Sequence, residues 1–320
     1  DEFATLVNDA PLVIEAGEGG EEWRPQNYSR RFYGPTPMRE GLARSRNLIS
    51  VRLLRGVGIG FAARHIAAFG FDQEAIPPNL TLALGTGQVT PLDMARGFAV
   101  FANGGLRVAP YFIERVLDAD GAVIEQSRPV TACRETDAAT GDEGPMPDEA
   151  SADCAPRAIS AANAYIMTDM LGDVIQRGTA QRAKELQRRD LAGKTGTTND
   201  RRDAWFVGFN ADLVAASWIG FDQERSLGAG EEGGRTALPM WIYFMKDALD
   251  GRPEHRQPEP AGVVRMWVSR STGRPTRAGA SGAVFESFLQ RYVPDAGAMD
   301  YSSEVEAESV VPVQGSESIF

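Results

Sequence analysis

The chain has 320 residues, with 33 Lys and Arg against 44 Asp and Glu, giving a formal charge of −11. Hydrophobic residues make up 42% and charged residues 24%, ordinary globular values that exclude wholesale disorder. The acidic balance argues against nonspecific nucleic-acid binding, which needs a basic face to displace counterions. The length suits one large domain or about two average ones. No stretch approaches the roughly 18 apolar residues of a membrane span. The best uncharged apolar run, residues 213–221, is strand-sized. The chain opens on Asp1-Glu2-Phe3, with no initiator Met and no signal segment, and so reads as cut or processed from something longer. Two cysteines, Cys133 and Cys154, cannot build a four-ligand zinc site alone. The two histidines, His65 in a helical pattern and His255 in a Pro-rich stretch, read as ordinary core or surface residues. Neither a metal nor a cofactor is expected.

Several helices are legible from their ends. Thr36-Pro37 reads as an N-cap with proline at the first helical position, leading into residues 38–44. Apolar patterns cover residues 48–56 and 61–69, the second stopped by Gly70. Thr90-Pro91-Leu92-Asp93 combines an N-cap, a first-turn proline and an acid at the helix dipole. That helix runs to Gly104-Gly105, a C-cap signal. Residues 111–117 and 122–125 flank a turn at 118–121 and read as a hairpin. Another long helix covers residues 159–171, with Tyr165, Met167 and Met170 as core. Residues 191–197, 204–209 and 213–220 form an antiparallel meander of three strands.

Between these elements, residues 135–153 are acidic and rich in Gly, Pro, Ala and Ser, and read as a loop or disordered insertion. Cys133 and Cys154 bracket it. An oxidising compartment would close it with a disulfide, and a reducing one would leave two thiols. A Pro-rich linker at 252–260 precedes a β-like segment at 263–268 and a turn at 271–273. Residues 302–320 are acidic and Ser-rich, and read as a mobile tail.

Two short segments can carry chemistry. Lys194-Thr195-Gly196-Thr197-Thr198 lies on the first meander strand. Alternation sends Lys194 and Gly196 to one face and Thr195 and Thr197 to the other. The glycine leaves room for a ligand against the backbone, the threonines offer hydroxyls and the lysine a positive charge. Such a strand edge suits an anionic peptide-like substrate added as a further strand. Lys-Thr-Gly is a common tripeptide, and alone it says little. It is no phosphate loop, because the required glycine spacing is missing. Ser45-Arg46-Asn47 lies between two helical segments and can present two hydrogen-bonding groups to a cleft. Alone, its commoner explanation is good turn and cap chemistry.

The pair is more specific than either member. Ser-x-Asn in a helical stretch, followed far downstream by Lys-Thr-Gly on a strand, is two of the three motifs of penicillin-interacting serine enzymes. The wider text matches too: residues 189–199, Asp203-Ala204-Trp205-Phe206, residues 218–221, residues 83–85, Thr90-Pro91, residues 95–105 and residues 41–47. Over most of residues 1–280 the chain resembles the transpeptidase domain of class A penicillin-binding proteins, of the 1A kind.

The resemblance implies an α+β fold: an antiparallel sheet covered by helices, plus a helical lobe, N-terminally incomplete. It implies a transpeptidase domain over 1–250, interrupted by the acidic insertion at about 133–154. A Pro-rich linker and small β-like extension would occupy 251–301, and the acidic tail 302–320. The implied activity is D,D-transpeptidation of peptidoglycan stem peptides through a serine acyl-enzyme, the target of β-lactam antibiotics. Ser45 would relay a proton toward the leaving nitrogen. Asn47 would bind the substrate amide and orient the motif lysine, and Lys194 would supply positive charge. Thr195 and Thr197 would bind the substrate carboxylate, with the Thr197 N–H as an oxyanion donor. Gly196, Thr198 and Trp205 complete the implied substrate-binding set, Trp205 reading equally well as sheet core.

One departure stands out. The family's nucleophile belongs to Ser-x-x-Lys, yet Ser29, Ser50, Ser127 and Ser160 have Phe32, Leu53, Val130 and Asn163 at the third place on. The motif belongs shortly before a stretch like Thr5 to Pro11, so it is expected upstream of Asp1, as are the family's membrane anchor and glycosyltransferase domain. The fragment alone is then expected to be inactive and to need its missing N-terminal segment. The implied location is the periplasmic side of the inner membrane, which favours the Cys133–Cys154 disulfide. Outer-membrane lipoprotein activators and elongation-machinery proteins are the partners the family suggests. Two other readings stay open: a non-catalytic peptidoglycan- or partner-binding module of the same fold, and a serine β-lactamase. The second fits poorly, with no obvious deacylating Glu loop.

Overall fold

The computed structural model describes residues 6–14, 22–133 and 154–294. The chain begins with strand β1 (Leu6–Asp9), paired antiparallel with β2 (Gly34–Pro37). Helices α1 (Met38–Ala43), α2 (Asn47–Val57) and α3 (Ile59–Ala68) follow. Thr36 is therefore not the cap of the first helix. It pairs with Val7 in the β-ladder and turns its hydroxyl onto Gly34 O, so the helix starts at Met38, one residue later than the Thr-Pro signal suggests.

Helix α4 (Pro91–Ala102) keeps its sequence signal in full. The Thr90 hydroxyl accepts from Asp93 N at 3.1 Å, and Thr90 N donates back to the Asp93 carboxylate at 3.1 Å, a reciprocal capping box. The Thr90 hydroxyl, donating to the Asp93 carboxylate at 2.7 Å, and then the Thr90 N–H hold that carboxyl below its ordinary pKa. A small exposed hairpin comes next, β3 (Arg115–Leu117) with β4 (Val123–Gln126). Cys133 and Cys154 are joined as a disulfide with Cα atoms 5.4 Å apart. The insertion at 135–153 and the tail at 302–320 lie outside the described residues. Helix α5 (Ala161–Gln176) is capped by the Ser160 hydroxyl, which accepts from Asn163 N. It extends beyond 171 because Leu171, Val174 and Ile175 continue its buried face.

The sheet is a meander of β5 (Ala192–Thr197), β6 (Ala204–Phe209) and β7 (Val214–Ile219), in that order. Helix α6 (Leu238–Ala248) and a second hairpin, β8 (Val263–Ser269) with β9 (Ala283–Leu289), complete the chain. Sequence reading missed α6, although Leu238, Trp241, Ile242 and Met245 fall at helical spacing and are all buried. It also missed β9.

Period-two alternation on β6 explains the layering. Phe206 meets Trp241 of α6 edge-on, with ring centroids 4.9 Å apart. Phe209, three residues on, points the other way and meets Phe98 of α4. Helices α4 and α5 thus cover one face and α6 the other, giving an α+β domain with the sheet as its middle layer. The helical lobe packs separately around Leu12, Leu48 and Val51, and around Phe69, Val100 and Ala164. His65 stacks between Phe61 and Phe69, and burial lowers its pKa. The β8–β9 hairpin is anchored by Arg39 of α1. Its guanidinium lies 2.6 Å from Glu286, 2.7 Å from Asp169 and 3.1 Å from Asp173. Burial pushes the Glu286 carboxyl up, against the pull of Arg39. Among the described residues, no helix is long and apolar enough to cross a membrane.

Candidate active site

Lys194 stands opposite Val207 in the β5–β6 ladder, so it shares a sheet face with Val207 and Phe209 and points toward the helical lobe. Ser45 comes from that lobe. Helix α1 ends with Ser45 N donating to Leu42 O and Arg46 N donating to Gly41 O, the crossed pattern of a Schellman ending. Ser45 occupies the left-handed position of that motif, with φ of 54°, where glycine is usual. A serine there carries backbone strain of order 1 kcal/mol, a feature that clusters at functional sites. The turn aims its side chain at the sheet. Lys194 Nζ donates to Ser45 Oγ at 2.8 Å across 149 residues of sequence, and to Thr195 O at 2.9 Å.

No carboxylate pairs with Lys194 among the described residues. Burial without a counter-charge lowers its pKa from 10.5 to about 8. Near neutral pH the amine is therefore close to shuttling a proton, a property that suits a group beside a reacting hydroxyl. Strand β5 is also an edge strand. One side is bonded to β6, and the other pairs with no strand among the described residues. That free edge can take an extended peptide as a further strand.

The other residues singled out from sequence sit as follows. Thr195 faces away from Lys194 and shares a hydrogen bond with Thr179, Oγ1 to Oγ1 2.6 Å. Thr197 Oγ1 accepts from Gly233 N at 3.0 Å. Gly196 lies opposite Trp205, and a Cβ there would stand 3.1 Å from that of Trp205. Trp205 is half-buried on the Lys194 face and packs on Trp218, centroids 6.0 Å apart. Thr198 is committed to the turn after β5, its hydroxyl accepting from Arg202 N and Asp203 N. Asn47 opens α2, and its Nδ2 donates to Gln26 O at 2.8 Å. Ser45 and Lys194 are thus brought into contact and Thr195 and Thr197 line the same strand, whereas the Asn47 side chain bonds elsewhere, to Gln26 O. His65 and His255 lie elsewhere, His255 Nδ1 being 2.6 Å from Asp212. Among the described residues, no group of three or more His, Cys, Asp or Glu is placed to hold a metal.

Sequence reasoning missed several contributors. Thr179 follows α5 and ties the two walls together, its N–H reaching Ala43 O at 3.2 Å. Gly233 lies so close to β5 and β6 that a Cβ would come within 2.4 Å of Gly196 O and 2.3 Å of Trp205 O. The Glu232-Gly233-Gly234 run was the available signal. The Tyr28 hydroxyl donates to the Glu232 carboxylate and accepts from Arg201 at 3.0 Å. It thereby ties the segment before β2 to residues that follow β5 and β7.

Comparison with known proteins agrees with this geometry. The family described as penicillin binding protein transpeptidase domain matches residues 4–221. Penicillin-binding protein 1A of Pseudomonas aeruginosa is 44% identical over 317 residues, covering 91% of this chain and 39% of the relative. That of Neisseria gonorrhoeae is 42% identical over 262 residues, covering 82% of this chain and 30% of the relative. The chain thus spans well under half the length of these curated relatives. Among solved structures, penicillin-binding protein 1A from Haemophilus influenzae superposes with a TM-score of 0.83 at 34% identity, over 92% of this chain and 45% of that one. The penicillin-binding protein PonA1 from Mycobacterium tuberculosis gives 0.62 at 25% identity, over 81% and 67%. On the matched span, the identities and the shared architecture, this chain belongs to the penicillin-binding protein transpeptidase family.

Proposed function

We propose that this chain is the greater part of a D,D-transpeptidase domain that cross-links peptidoglycan stem peptides through a serine acyl-enzyme and is acylated by β-lactams. The 2.8 Å contact between Ser45 Oγ and Lys194 Nζ carries the reading. The stem peptide lies along the free edge of β5. Its terminal carboxylate is drawn to the Lys194 ammonium and to the hydroxyls of Thr195 and Thr197. A nucleophilic serine attacks the carbonyl carbon of the D-alanyl-D-alanine bond, and the oxyanion is held by backbone donors that include Thr197 N–H. Ser45, bonded to Lys194, relays to the departing nitrogen the proton given up by the attacking serine, so the C–N bond breaks and D-alanine leaves as the neutral amine. An amine of a second stem then attacks the ester, the serine regains its proton, and the cross-link remains. Asn47 binds the substrate amide and orients the motif lysine, and Trp205 walls the cleft.

The nucleophile comes from outside residues 1–320. The three lysines, Lys184, Lys194 and Lys246, have Gln181, Leu191 and Tyr243 three places before them, so no Ser-x-x-Lys occurs in this span. The fragment alone is then inactive. The catalytic face lies in the periplasm, where a Cys133–Cys154 disulfide is favoured. Residues 1–250 work as the catalytic unit, and the hairpin beyond 251 as an appendage.

Labelled penicillin tests the proposal. It is expected to acylate the natural longer protein and to leave the 320-residue chain unmodified. Acylation of this chain alone, or a longer protein that carries no Ser-x-x-Lys and takes no label, would overturn it.

A further inference from the structure

The β8–β9 hairpin lies beyond residues 4–221, the span matched by the transpeptidase family. Its back is fixed: Glu286 is bound to Arg39, and Phe288 and Val268 are buried. Its front is not. Trp267 and Phe285 stand opposite each other across the strands, ring centroids 5.1 Å apart, and are 37% and 52% exposed. Beside them runs a third, short stretch: Thr276 N donates to Trp267 O, and Pro275 bridges to Val268. Arg274 and Arg277 flank it, both exposed, and neither is paired with an acid among the described residues. Residues 261–294 hold five arginines and a single acid, the buried Glu286, within a chain of net charge −11. A rigid aromatic pair edged by unpaired guanidinium groups is thus presented on a locally basic part of an acidic protein.

We infer that this face binds a glycan strand bearing spaced carboxylates, the sugar rings lying on Trp267 and Phe285 and the carboxylates on Arg274 and Arg277. Planar, weakly hydrated guanidinium groups take carboxylates bidentately, and exposed aromatic rings offer apolar area at low conformational cost. Identifying the strand as peptidoglycan rests on the proposed function. The face would then hold the polymer whose stem peptides enter the crevice.

The test measures binding of the 320-residue chain to fluorescein-labelled, uncross-linked peptidoglycan strands by anisotropy. Trp267→Ala/Phe285→Ala and Arg274→Ala/Arg277→Ala are each expected to weaken binding about tenfold or more, by loss of stacking or of charge-assisted bonds, with unchanged thermal unfolding. The arginine variant should also lose most of the salt dependence. Wild-type affinity in both variants would overturn the inference. Affinity lost in Lys194→Met but kept in the hairpin variants would overturn it too, leaving the crevice reading intact. Hairpin-dependent binding combined with a longer protein that resists labelled penicillin would uphold the surface and sink the transpeptidase reading. Binding that emerges only after removal of residues 295–320 would assign the face to the chain's own acidic tail, and a Trp267-dependent dimer in sedimentation would assign it to a second copy. Either result overturns the inference.

Discussion

Lys194 and Ser45 meet across the crevice, yet the backbone beneath them differs. Lys194 sits mid-strand in a six-residue ladder whose far side is packed by Phe206 and Trp241. Ser45 ends a six-residue helix in a left-handed conformation that a non-glycine residue adopts at a cost. The strand wall stores its cost in the side chain, as a half-buried amine without a counter-charge. The turn wall stores it in the backbone. Reactivity at the contact between them therefore draws on two separate strains, which can be relieved one at a time.

The largest expected effect removes the strand's cost. Lys194 has a folded-state pKa of about 8 against an unfolded 10.5. Between those values the unfolded chain holds a proton that the native one lacks, so stability must rise with pH across about 8 to 10.5. The full shift corresponds to ~3 kcal/mol, reduced by the bonds to Ser45 and Thr195. Lys194→Met is expected to flatten that rise and to be more stable by ~1–3 kcal/mol at pH 7, read by urea denaturation across pH. A variant less stable at pH 7, with the rise intact, would remove the lysine as its source.

A second test disturbs the support of the strand wall. Gly233→Ala forces a Cβ against Gly196 O and Trp205 O. Overpacking of this kind typically costs ~1–3 kcal/mol and should lower the denaturation midpoint. An unchanged midpoint would mean that the 233–237 segment shifts freely. The smallest effect tests the turn wall. Ser45→Gly is expected to gain ~1 kcal/mol by relieving the left-handed strain, while abolishing penicillin labelling in the longer protein. A loss of stability there would show that the Lys194 bond outweighs the strain.

The strand wall was the more legible in sequence. Lys194-Thr195-Gly196 sits in a period-two pattern bounded by turn residues, and both the meander and its facing pattern follow from that. The turn wall was legible as a motif and not as a conformation, because nothing in Ser-Arg-Asn specifies a left-handed serine. Thr179, Gly233 and Tyr28 were missed for a different reason. Each acts through contacts far apart in sequence, as in the bond of Tyr28 to Glu232, 204 residues away. Helix α6 was legible in principle, since Leu238, Trp241, Ile242 and Met245 recur at helical spacing on one buried face. The Thr36 cap failed because a β-ladder competed for the same residue.

The disulfide carries a consequence for variation. Ala155 N reaches Thr131 O at 2.7 Å and the two sulfurs are bonded, so the chain leaves and re-enters the domain at one point. For the rest of the molecule, the 20 residues from 134 to 153 then occupy a detour of no net length. Evolution can lengthen, shorten or recharge that detour without retuning the crevice. A protease that cuts within it leaves two halves running as one band on a gel until a reductant separates them.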